Sequence, residues 1–559
     1  MFDYKVVDSL DEIHLREDLP TFGDIETDGL YINTRLIQLY QPETNDEIVY
    51  IIDTDIIDLE DAKEFLKPLW TIWHGGSYDF GTLNMTTARF DDTLYLARTA
   101  YPEWQKFGLD VVVSKLGWDK LYDGLDKKAM QKGGFVKGAY LSARQLKYAA
   151  TDVYALAQIW KNKRIQVTRE VLAYKVDILS LKYSIEYQQN GLIVDQPSVR
   201  KELDDLVDII EANYEKLNGL NPNSPKQVKE YLGTESSNKE TLIKLIAEGN
   251  EMAKVVFEQR RLLKRRTFLN SYNYPRVITR FNPAGAATGR FTSTGGDLPR
   301  GINAQQITRN LQYLFNKDTE DTVVVHADYS TAELRAGCSI MKDEGMYKQL
   351  KADIDLHKVA ATLALGGRPE DIDKAGRQKG KAISFGFIFG MSAPSFVEYA
   401  YVNYGVIFTL DEAKAIKIAY QKQYPGITRY AKARWNDYKT DFVTTPLGRR
   451  NKARLGTDAI NYATQGCIAE TTKLAIHYLC KEFPITTKYI YNVVHDAIYM
   501  RVPKGEENIW APRLVKAMKK GWTEMCKRPM LFYKDIPMPV EIEYNDYSSG
   551  KPVYKCIEE

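Results

Sequence analysis

In residues 323–335, Val-Val-Val-His-Ala-Asp-Tyr-Ser-Thr-Ala-Glu-Leu-Arg, an apolar run is followed directly by acidic side chains. The β-branched residues predict a buried strand that ends at Asp328, and the next residues predict a helix that begins near Glu333. The stretch Tyr489–Tyr499 has the same character and contains Asp496, so we expect a second strand there. If the two strands pair, Asp328 and Asp496 meet at one end of a sheet, where they can hold divalent metal ions.

The composition is that of a folded protein with several domains. The chain has 559 residues, which suggests roughly three or four domains of about 150 residues each. Hydrophobic residues make up 44% and charged residues 27%, which argues against wholesale disorder, and the net charge of +2 neither requires nor excludes a nucleic-acid partner. The five cysteines are scattered without a C-x-x-C pair, which predicts reduced thiols. Without a signal peptide or a long apolar run, we expect a cytoplasmic protein with no membrane partner.

Four acids and a tyrosine in the first part of the chain form a candidate hydrolytic site. Asp24 and Glu26 are alternate residues of a predicted strand and therefore share a face. Asp79 follows a second apolar strand, and Tyr148 and Asp152 lie four residues apart on a predicted helix. A lone Asp-x-Glu is most often a solvated strand end. The whole set is what a two-metal phosphodiester hydrolase needs.

This set resembles the tyrosine subtype of the DEDD superfamily of proofreading 3′–5′ exonucleases, over most of residues 15–160. The resemblance implies an RNase H-like fold in which Tyr148 positions the attacking water. It also implies that the metal ligands are the four acids, Asp24, Glu26, Asp79 and Asp152. His74-Gly75 departs from the family, where asparagine is common, so we expect a looser contact with the substrate strand.

Residues 254–266 carry six cations and one acid on a predicted amphipathic helix. Contact with phosphates explains such a local excess, and a solvated helix face explains it equally well. Together with residues 221–227, the segment resembles the thumb of a family A (DNA polymerase I-type) enzyme, which grips the DNA duplex. The resemblance gives four candidate DNA contacts, Arg260, Arg261, Lys264 and Arg265.

Residues 328–335 resemble motif A of family A. By that resemblance Asp328 binds both metal ions, the carbonyl of Tyr329 assists, and Glu333 is the gate that excludes a ribose 2′-hydroxyl. Asp355-Leu356-His357 resembles a short element whose histidine, His357, reaches the phosphates of the incoming nucleotide.

The residues Arg377, Lys381, Phe385 and Phe389 recur every four positions and therefore follow one stripe of a predicted helix. The stripe is cationic at one end and aromatic at the other, as a nucleoside triphosphate with its phosphates and base requires. Neighbouring aromatic residues at helical spacing are more often core, and a P-loop is excluded because Gly380-Lys381 is followed by alanine.

The spacing resembles motif B on the fingers helix of family A. It implies that Arg377 and Lys381 hold phosphates, and that Phe385 packs on the sugar and base and discriminates against dideoxynucleotides. Phe389 stands where most relatives have a tyrosine that holds the gate carboxylate. We therefore hypothesise that Glu333 is less constrained and that sugar discrimination is looser than usual.

Several polar residues resemble the family's contacts to primer and template. They are Arg290 in a Thr-Gly-Arg sequence, Asn303 and Gln305, the minor-groove amides Asn461 and Gln465, and His495 near the primer end. Asp496 belongs to a stretch resembling motif C, in which the usual glutamate is replaced by Ala497. Residues 294–299 are an apparent insertion, which leaves the contacts around Arg290 open.

The expected architecture is α/β and α+β, with an RNase H-like exonuclease domain followed by a right-hand polymerase. The expected parts are the exonuclease domain 1–165, thumb and connecting helices 166–280, palm 281–342 and 431–559 with an antiparallel sheet, and helical fingers 343–430. The expected closing strand of the palm sheet is residues 539–544.

We expect template-directed DNA synthesis with proofreading, in a phage-type enzyme because no 5′-nuclease domain precedes residue 1, active in the host cytoplasm. The expected cofactor is Mg²⁺, two ions per active site, with Mn²⁺ as a substitute. The expected partners of the monomer are primer–template DNA, dNTPs and replisome proteins such as a helicase, a primase or a single-strand-binding protein. The alternative is a repair exonuclease whose polymerase half only binds DNA, and Ala497 and Phe389 favour it. A non-catalytic DNA-binding factor would leave every carboxylate unexplained.

Overall fold

The N-terminal part of the chain is built on a six-stranded sheet. The computed structural model describes residues 2–29, 33–44, 47–125, 134–295 and 298–558. The strands are β1 (Asp3–Val7), β2 (Pro20–Asp28), β3 (Asn33–Tyr40), β4 (Ile48–Asp53), β5 (Trp70–Trp73) and β6 (Arg89–Asp92). Their order is β1-β4-β3-β2-β5-β6, with β3 antiparallel to both neighbours and the other pairs parallel.

Helices cover both faces of this sheet because its strands are apolar on both sides. The helices are α1 (Leu59–Leu66), α2 (Asp79–Leu83), α3 (Thr93–Ala100), α4 (Leu109–Lys115) and α5 (Ala143–Trp160). Tyr148 and Leu156 of α5 belong to the buried cluster on one face, and Phe80 and Leu96 to the cluster on the other. The mixed α/β character predicted for this part is confirmed.

A helical segment follows, as the sequence predicts. Its helices are α6 (Lys163–Val167), α7 (Leu172–Tyr187), α8 (Gln196–Leu217), α9 (Pro225–Leu232), α10 (Lys239–Ala247) and α11 (Glu251–Ser271). The basic segment 254–266 lies entirely within α11. Two short two-stranded ribbons accompany these helices. One pairs β7 (Leu192–Ile193) with β8 (Arg276–Val277), and the other pairs β9 (Arg280–Asn282) with β10 (Thr292–Thr294). Gly296 and Asp297 of the apparent insertion lie outside the described residues.

The C-terminal part contains a five-stranded antiparallel sheet in the order β14-β15-β11-β16-β17. Its strands are β11 (Thr322–Tyr329), β14 (Ile490–Val494), β15 (Ala497–Pro503), β16 (Val540–Asp546) and β17 (Val553–Glu558). The prediction of one strand over Tyr489–Tyr499 is wrong, because the chain turns back at His495-Asp496 and forms a hairpin. The strand predicted at residues 539–544 exists as β16, but β17 lies outside it and forms the edge.

Helices surround this second sheet. They are α12 (Ala332–Met341), α13 (Glu344–Lys351), α14 (Leu356–Leu365), α15 (Lys374–Phe387), α16 (Ala393–Tyr404), α17 (Leu410–Gln423), α18 (Pro425–Asp437), α19 (Gly456–Glu482) and α20 (Glu507–Cys526). The ribbon of β12 (Val443–Thr444) and β13 (Arg450–Asn451) precedes α19. Among the described residues, no helix has both the length and the apolar character needed to cross a membrane.

Four buried charged residues join the helical segment to this part. Asp177 of α7 accepts hydrogen bonds from Arg449, at 2.8 and 2.7 Å, and from Lys473 of α19 at 2.6 Å. Glu470 of α19 accepts from the backbone N–H of Leu447 at 3.0 Å. Asp177 therefore offsets the charges of two buried cations, and Glu470 lies with them in the interior.

Candidate active sites

Asp328 and Asp496 lie at the same end of the second sheet. Asp328 is the penultimate residue of β11, and Asp496 lies in the turn between β14 and β15. Because Ala327 of β11 pairs with Ile498 of β15, that turn lies beside the end of β11. His495 holds the turn with a left-handed backbone at φ 57. The predicted meeting of the two acids is therefore observed, through a hairpin instead of a single strand.

The electrostatics of this pair fit a bound cation. Burial raises the pKa of Asp328 to about 6 and that of Asp496 well above its ordinary value, and the charge of Asp328 raises the latter further. Oδ1 of Asp328 is buried and has no hydrogen-bond partner among the described residues. Two desolvated carboxylates with an unsatisfied oxygen are suitable ligands for a hard divalent ion.

The predicted gate residue has a partner. Glu333 lies in the first turn of α12, and Arg290 donates a hydrogen bond to its carboxylate. Phe389 cannot do so because it has no hydroxyl. Arg290, predicted to contact DNA, is held on Glu333 in this structure, so the premise of an unconstrained gate carboxylate does not hold here.

The predicted nucleotide stripe is present on α15, with Arg377, Lys381 and Phe385 all half-buried. Helix α15 ends at Phe387, so Phe389 lies in the turn beyond it, and its predicted place on the helix is wrong. Nε of Arg377 donates to Oδ2 of Asp355 at 2.5 Å. Arg377 is therefore paired with an acid in this structure. Burial and the Arg377 charge lower the pKa of Lys381.

His357 lies beside this stripe but carries no charge at neutral pH. It is 2% exposed, and burial lowers its pKa to about 4. Its Nδ1 lies 3.2 Å from the hydroxyl of Ser384, and its ring lies 5.4 Å from that of Phe385. A neutral imidazole can donate one hydrogen bond to a phosphate and adds no positive charge.

Some of the candidate DNA contacts are partly open to solvent, and others make hydrogen bonds within the protein. Asn461 and Gln465 are the half-exposed residues on an otherwise buried stretch of α19, and Oδ1 of Asn461 has no hydrogen-bond partner in the described part of the chain. Asn303 accepts from Ser293, and Gln305 donates to the Val493 carbonyl. Gln305 therefore braces the hairpin that carries Asp496, and Asn303 holds the turn that carries Gln305 by accepting from its backbone N–H at 3.1 Å.

The four predicted phosphate contacts on α11 also differ in whether they are bound within the protein or exposed to solvent. Arg260 donates to the carbonyls of Pro222 and Ser237, and Arg265 pairs with Glu202. Arg261 and Lys264 are exposed. Helical spacing predicts which residues share a face, but it does not tell which of those faces packs inward.

A second group of acids lies at the first sheet, with Asp24 and Glu26 on β2 and Asp152 on α5. Ligand oxygens of Asp24, Glu26 and Asp152 all lie within 4.8 Å of one another. Burial and the charges of these three acids raise the pKa of Tyr148, and its hydroxyl hydrogen-bonds with Asp152. The strand and helix spacings therefore bring together four of the five predicted residues.

Asp79 is the fifth, and its environment differs. It is the first residue of α2, and it is not a member of the group defined by the 4.8 Å distance. Burial raises its pKa to about 8, and the charge of Asp92 adds to this effect. His74 precedes Asp79 by five residues, and its ring nitrogens lie 2.8 Å from the Thr93 hydroxyl and 2.7 Å from the Phe107 carbonyl oxygen.

Two further residues, Tyr122 and Arg309, act on these sites, and no sequence pattern predicts either of them. The hydroxyl of Tyr122 donates to Oδ1 of Asp152 at 2.5 Å, from a short 3₁₀ helix 30 residues earlier. The positive charge of the exposed Arg309 opposes the burial that raises the pKa of Asp328, and it adds to the burial that lowers the pKa of Lys381. Neither residue lies in a periodic stretch, so only the tertiary structure identifies it.

The chain is similar to known DNA polymerases. The family model described as DNA polymerase family A matches residues 196–547. DNA polymerase I of Aquifex aeolicus is 28% identical over 94% of this chain and 94% of its own length. A DNA polymerase of Mycobacterium phage D29 is 28% identical over 49% of this chain and 45% of its own length.

Among solved structures, the POL domain of Pol1 from M. smegmatis, in complex with DNA primer-template and dNTP, superimposes with a TM-score of 0.73. The superposition covers 94% of each chain at 18% sequence identity, so it shows the shared fold. The family model spans more than half of the chain and includes Asp328, the stripe on α15 and Asp496. The chain belongs to DNA polymerase family A.

Proposed function

We propose that this protein extends a DNA primer along a template at Asp328 and Asp496, and that it shortens mispaired 3′ ends at the acids of the first sheet. The observation that supports the first activity best is the meeting of two desolvated carboxylates, Asp328 and Asp496, at one end of the second sheet. The second activity is supported by the three acids within 4.8 Å and the tyrosine beside them.

In synthesis, the primer 3′-oxygen attacks the α-phosphorus of the dNTP. The new P–O bond forms as the bond to pyrophosphate breaks, and the proton of the 3′-hydroxyl leaves to solvent. Asp328, Asp496 and the Tyr329 carbonyl would hold two Mg²⁺ ions, which lower the pKa of the 3′-hydroxyl and neutralise the leaving pyrophosphate when bound. The protein itself supplies the alignment of primer end and triphosphate.

The stripe on α15 supplies that alignment. Arg377 and Lys381 bind the β- and γ-phosphates, and Phe385 packs on the sugar and base. Glu333, held by Arg290, fills the space that a ribose 2′-hydroxyl would need. His357 adds one neutral hydrogen bond to this set.

In proofreading, a water molecule attacks the phosphorus of the terminal phosphodiester, and the bond from that phosphorus to the 3′-oxygen of the penultimate nucleotide breaks. The 3′-oxygen takes up a proton, and the terminal nucleotide is released as its 5′-monophosphate. Asp24, Glu26, Asp79 and Asp152 would hold two divalent ions that activate this water and stabilise the leaving oxygen. Tyr148 orients the water. The clustered acids fit that role since they are hard oxygen donors.

Duplex DNA binds along α11 and α19 in this proposal. Arg261 and Lys264 contact phosphates, and Asn461 and Gln465 contact acceptors in the minor groove, which are alike for every base pair. The domain boundaries predicted from the sequence, the role in phage replication and the replisome partners remain predictions.

One gel tests the two activities. A 5′-labelled primer annealed to a longer template is incubated with the protein and Mg²⁺. We expect the primer to shorten without nucleotides and to reach the template end when dNTPs are added. Shortening under both conditions would overturn the synthetic activity, and a primer that stays intact without nucleotides would overturn the proofreading activity.

A further inference from the structure

The residue after Asp496 leaves the polymerase site with one acid fewer than the motif usually has. Ala497 is apolar, 5% exposed, and pairs with Val494 inside the hairpin. Glu333 of α12 is the other acid near this site, and Arg290 holds its carboxylate. A further carboxylate beside Asp328 therefore has to come from another element. The register of the sheet identifies one candidate.

Glu541 is the residue directly opposite Asp328. Strands β11 and β16 are antiparallel, and their register pairs Asp328 with Glu541 and His326 with Glu543. Side chains directly opposite in such a pair lie on the same face with Cβ atoms about 5 Å apart. Glu541 is exposed, so its carboxylate is solvated.

The strand order places Glu541 and the turn with Asp496 on opposite sides of Asp328. Ala327, the residue before Asp328, pairs with Ile498 of β15 on one side and with Ile542 of β16 on the other. Glu541 therefore flanks Asp328 from the strand that does not carry Asp496.

The contacts of Glu541 leave it available for this role. The thiol of Cys556 lies 3.6 Å from its Oε1, across β16 and β17, and a ligand oxygen of Glu543 lies within 4.8 Å of it. Oδ1 of Asp328, which is buried, has no hydrogen-bond partner among the described residues. An unsatisfied oxygen on one strand thus adjoins a solvated carboxylate on the next.

We propose that Glu541 is the third carboxylate of the polymerase site, binding the water shell of the divalent ion held by Asp328 and taking the place of the acid missing at Ala497. The inference rests on the proposed function, since it assumes that Asp328 and Asp496 hold the ions for synthesis. It assigns Glu541 to ion binding and leaves the recognition of base and sugar to the other residues.

The test compares substitutions of two glutamates of β16, in a protein whose acid site at the first sheet has been removed. Asp24→Ala and Glu26→Ala remove competing ion binding at the first sheet. In that background Glu541→Gln is compared with Glu543→Gln. Glu543 lies on the same strand and the same face as Glu541, but it is opposite His326 instead of Asp328. Binding of Mn²⁺ alone is followed by electron paramagnetic resonance, and Asp328→Asn identifies the ion that belongs to this site. Primer extension is measured at a series of Mg²⁺ concentrations.

We expect Glu541→Gln to weaken Mn²⁺ binding at this site and to raise the Mg²⁺ concentration for half-maximal extension, each by about tenfold. Glu543→Gln should keep both within about twofold of the background. Equal Mn²⁺ affinity for Glu541→Gln and the background would overturn the proposal, and so would an equal loss in both variants, since that would indicate a general charge effect.

The design separates this proposal from the proposed function. If the unmutated protein fails to extend a primer, synthesis is overturned, while the Mn²⁺ titration still compares the two glutamates. Because Glu541 is exposed, its replacement is compatible with folding, which circular dichroism checks.

Discussion

Arg290 donates a hydrogen bond to the carboxylate of Glu333, and the two side chains are 23% and 21% exposed. This contact joins the loop before β10 to the first turn of α12. It gives the gate carboxylate a fixed position that does not depend on a hydroxyl at Phe389. Partial burial strengthens the pair relative to one in water.

We therefore expect Arg290→Ala to loosen the gate. The ratio of dNTP to rNTP incorporation efficiency should fall by about tenfold, since about 1.4 kcal/mol of positioning is lost. The ratio cancels any loss of primer contact that affects both nucleotides equally. Single-nucleotide kinetics with dATP and ATP on the same primer measure it.

Phe389→Tyr is the matched variant for the sequence-based hypothesis of looser discrimination. It restores the hydroxyl, so ribonucleotide incorporation should fall if that hypothesis holds. Comparable incorporation by the unmutated protein and Phe389→Tyr would count against it. An unchanged ratio in Arg290→Ala would show that the contact with Glu333 does not set sugar choice.

Tyr122 should support proofreading. Its hydroxyl donates to Asp152 at 2.5 Å, and a hydrogen bond to a charged group contributes about 1.5–3 kcal/mol. We expect Tyr122→Phe to slow 3′ shortening by about tenfold with primer extension unchanged. Tyr140→Phe is the control, because Tyr140 is 92% exposed. Equal shortening rates for the two variants would contradict the role of Tyr122.

The buried charge cluster should govern stability. Asp177→Asn leaves Arg449 and Lys473 without their acidic partner in the interior, which costs about 3–5 kcal/mol. Denaturant unfolding measures the loss. Glu170→Gln breaks the exposed pair with Lys175 and should leave the unfolding midpoint unchanged. A midpoint for Asp177→Asn equal to that of Glu170→Gln would refute the balance of buried charges.

Glu470 should make stability depend on pH. Burial raises its pKa from 4.5 to about 7, so between these values the folded state keeps a proton that the unfolded state releases. Stability therefore falls as the pH rises through this window, by up to about 3 kcal/mol. We expect Glu470→Gln to flatten the slope of unfolding free energy between pH 4.5 and 7. A slope equal to that of the unmutated protein would contradict the shifted pKa.

The sequence predicts much of the fold near the acids, because the decisive patterns there are local. Valines before Asp328 give a strand, and spacings of two and four place Asp24 with Glu26 and Tyr148 with Asp152. The sequence does not predict the hairpin at His495, because the flanking residues are apolar on both sides and include no glycine or proline.

Other features depend on tertiary contacts that no local pattern encodes. Arg260 and Arg265 are bound by other groups of the protein, although they lie in the same basic segment as the exposed Arg261 and Lys264. The pairing of Asp328 with Glu541 spans more than two hundred residues of sequence, and it follows only from the strand order of the sheet.

The most direct test of the central claim is a separation of the two activities by one substitution at each site. Asp496→Asn and Asp24→Ala are each assayed for single-nucleotide extension and for 3′ shortening on the same labelled primer with Mg²⁺. We expect Asp496→Asn to lose about a thousandfold in extension while shortening continues, and Asp24→Ala to lose shortening while extension continues. Extension by Asp496→Asn at the unmutated rate would contradict the assignment of synthesis to Asp328 and Asp496.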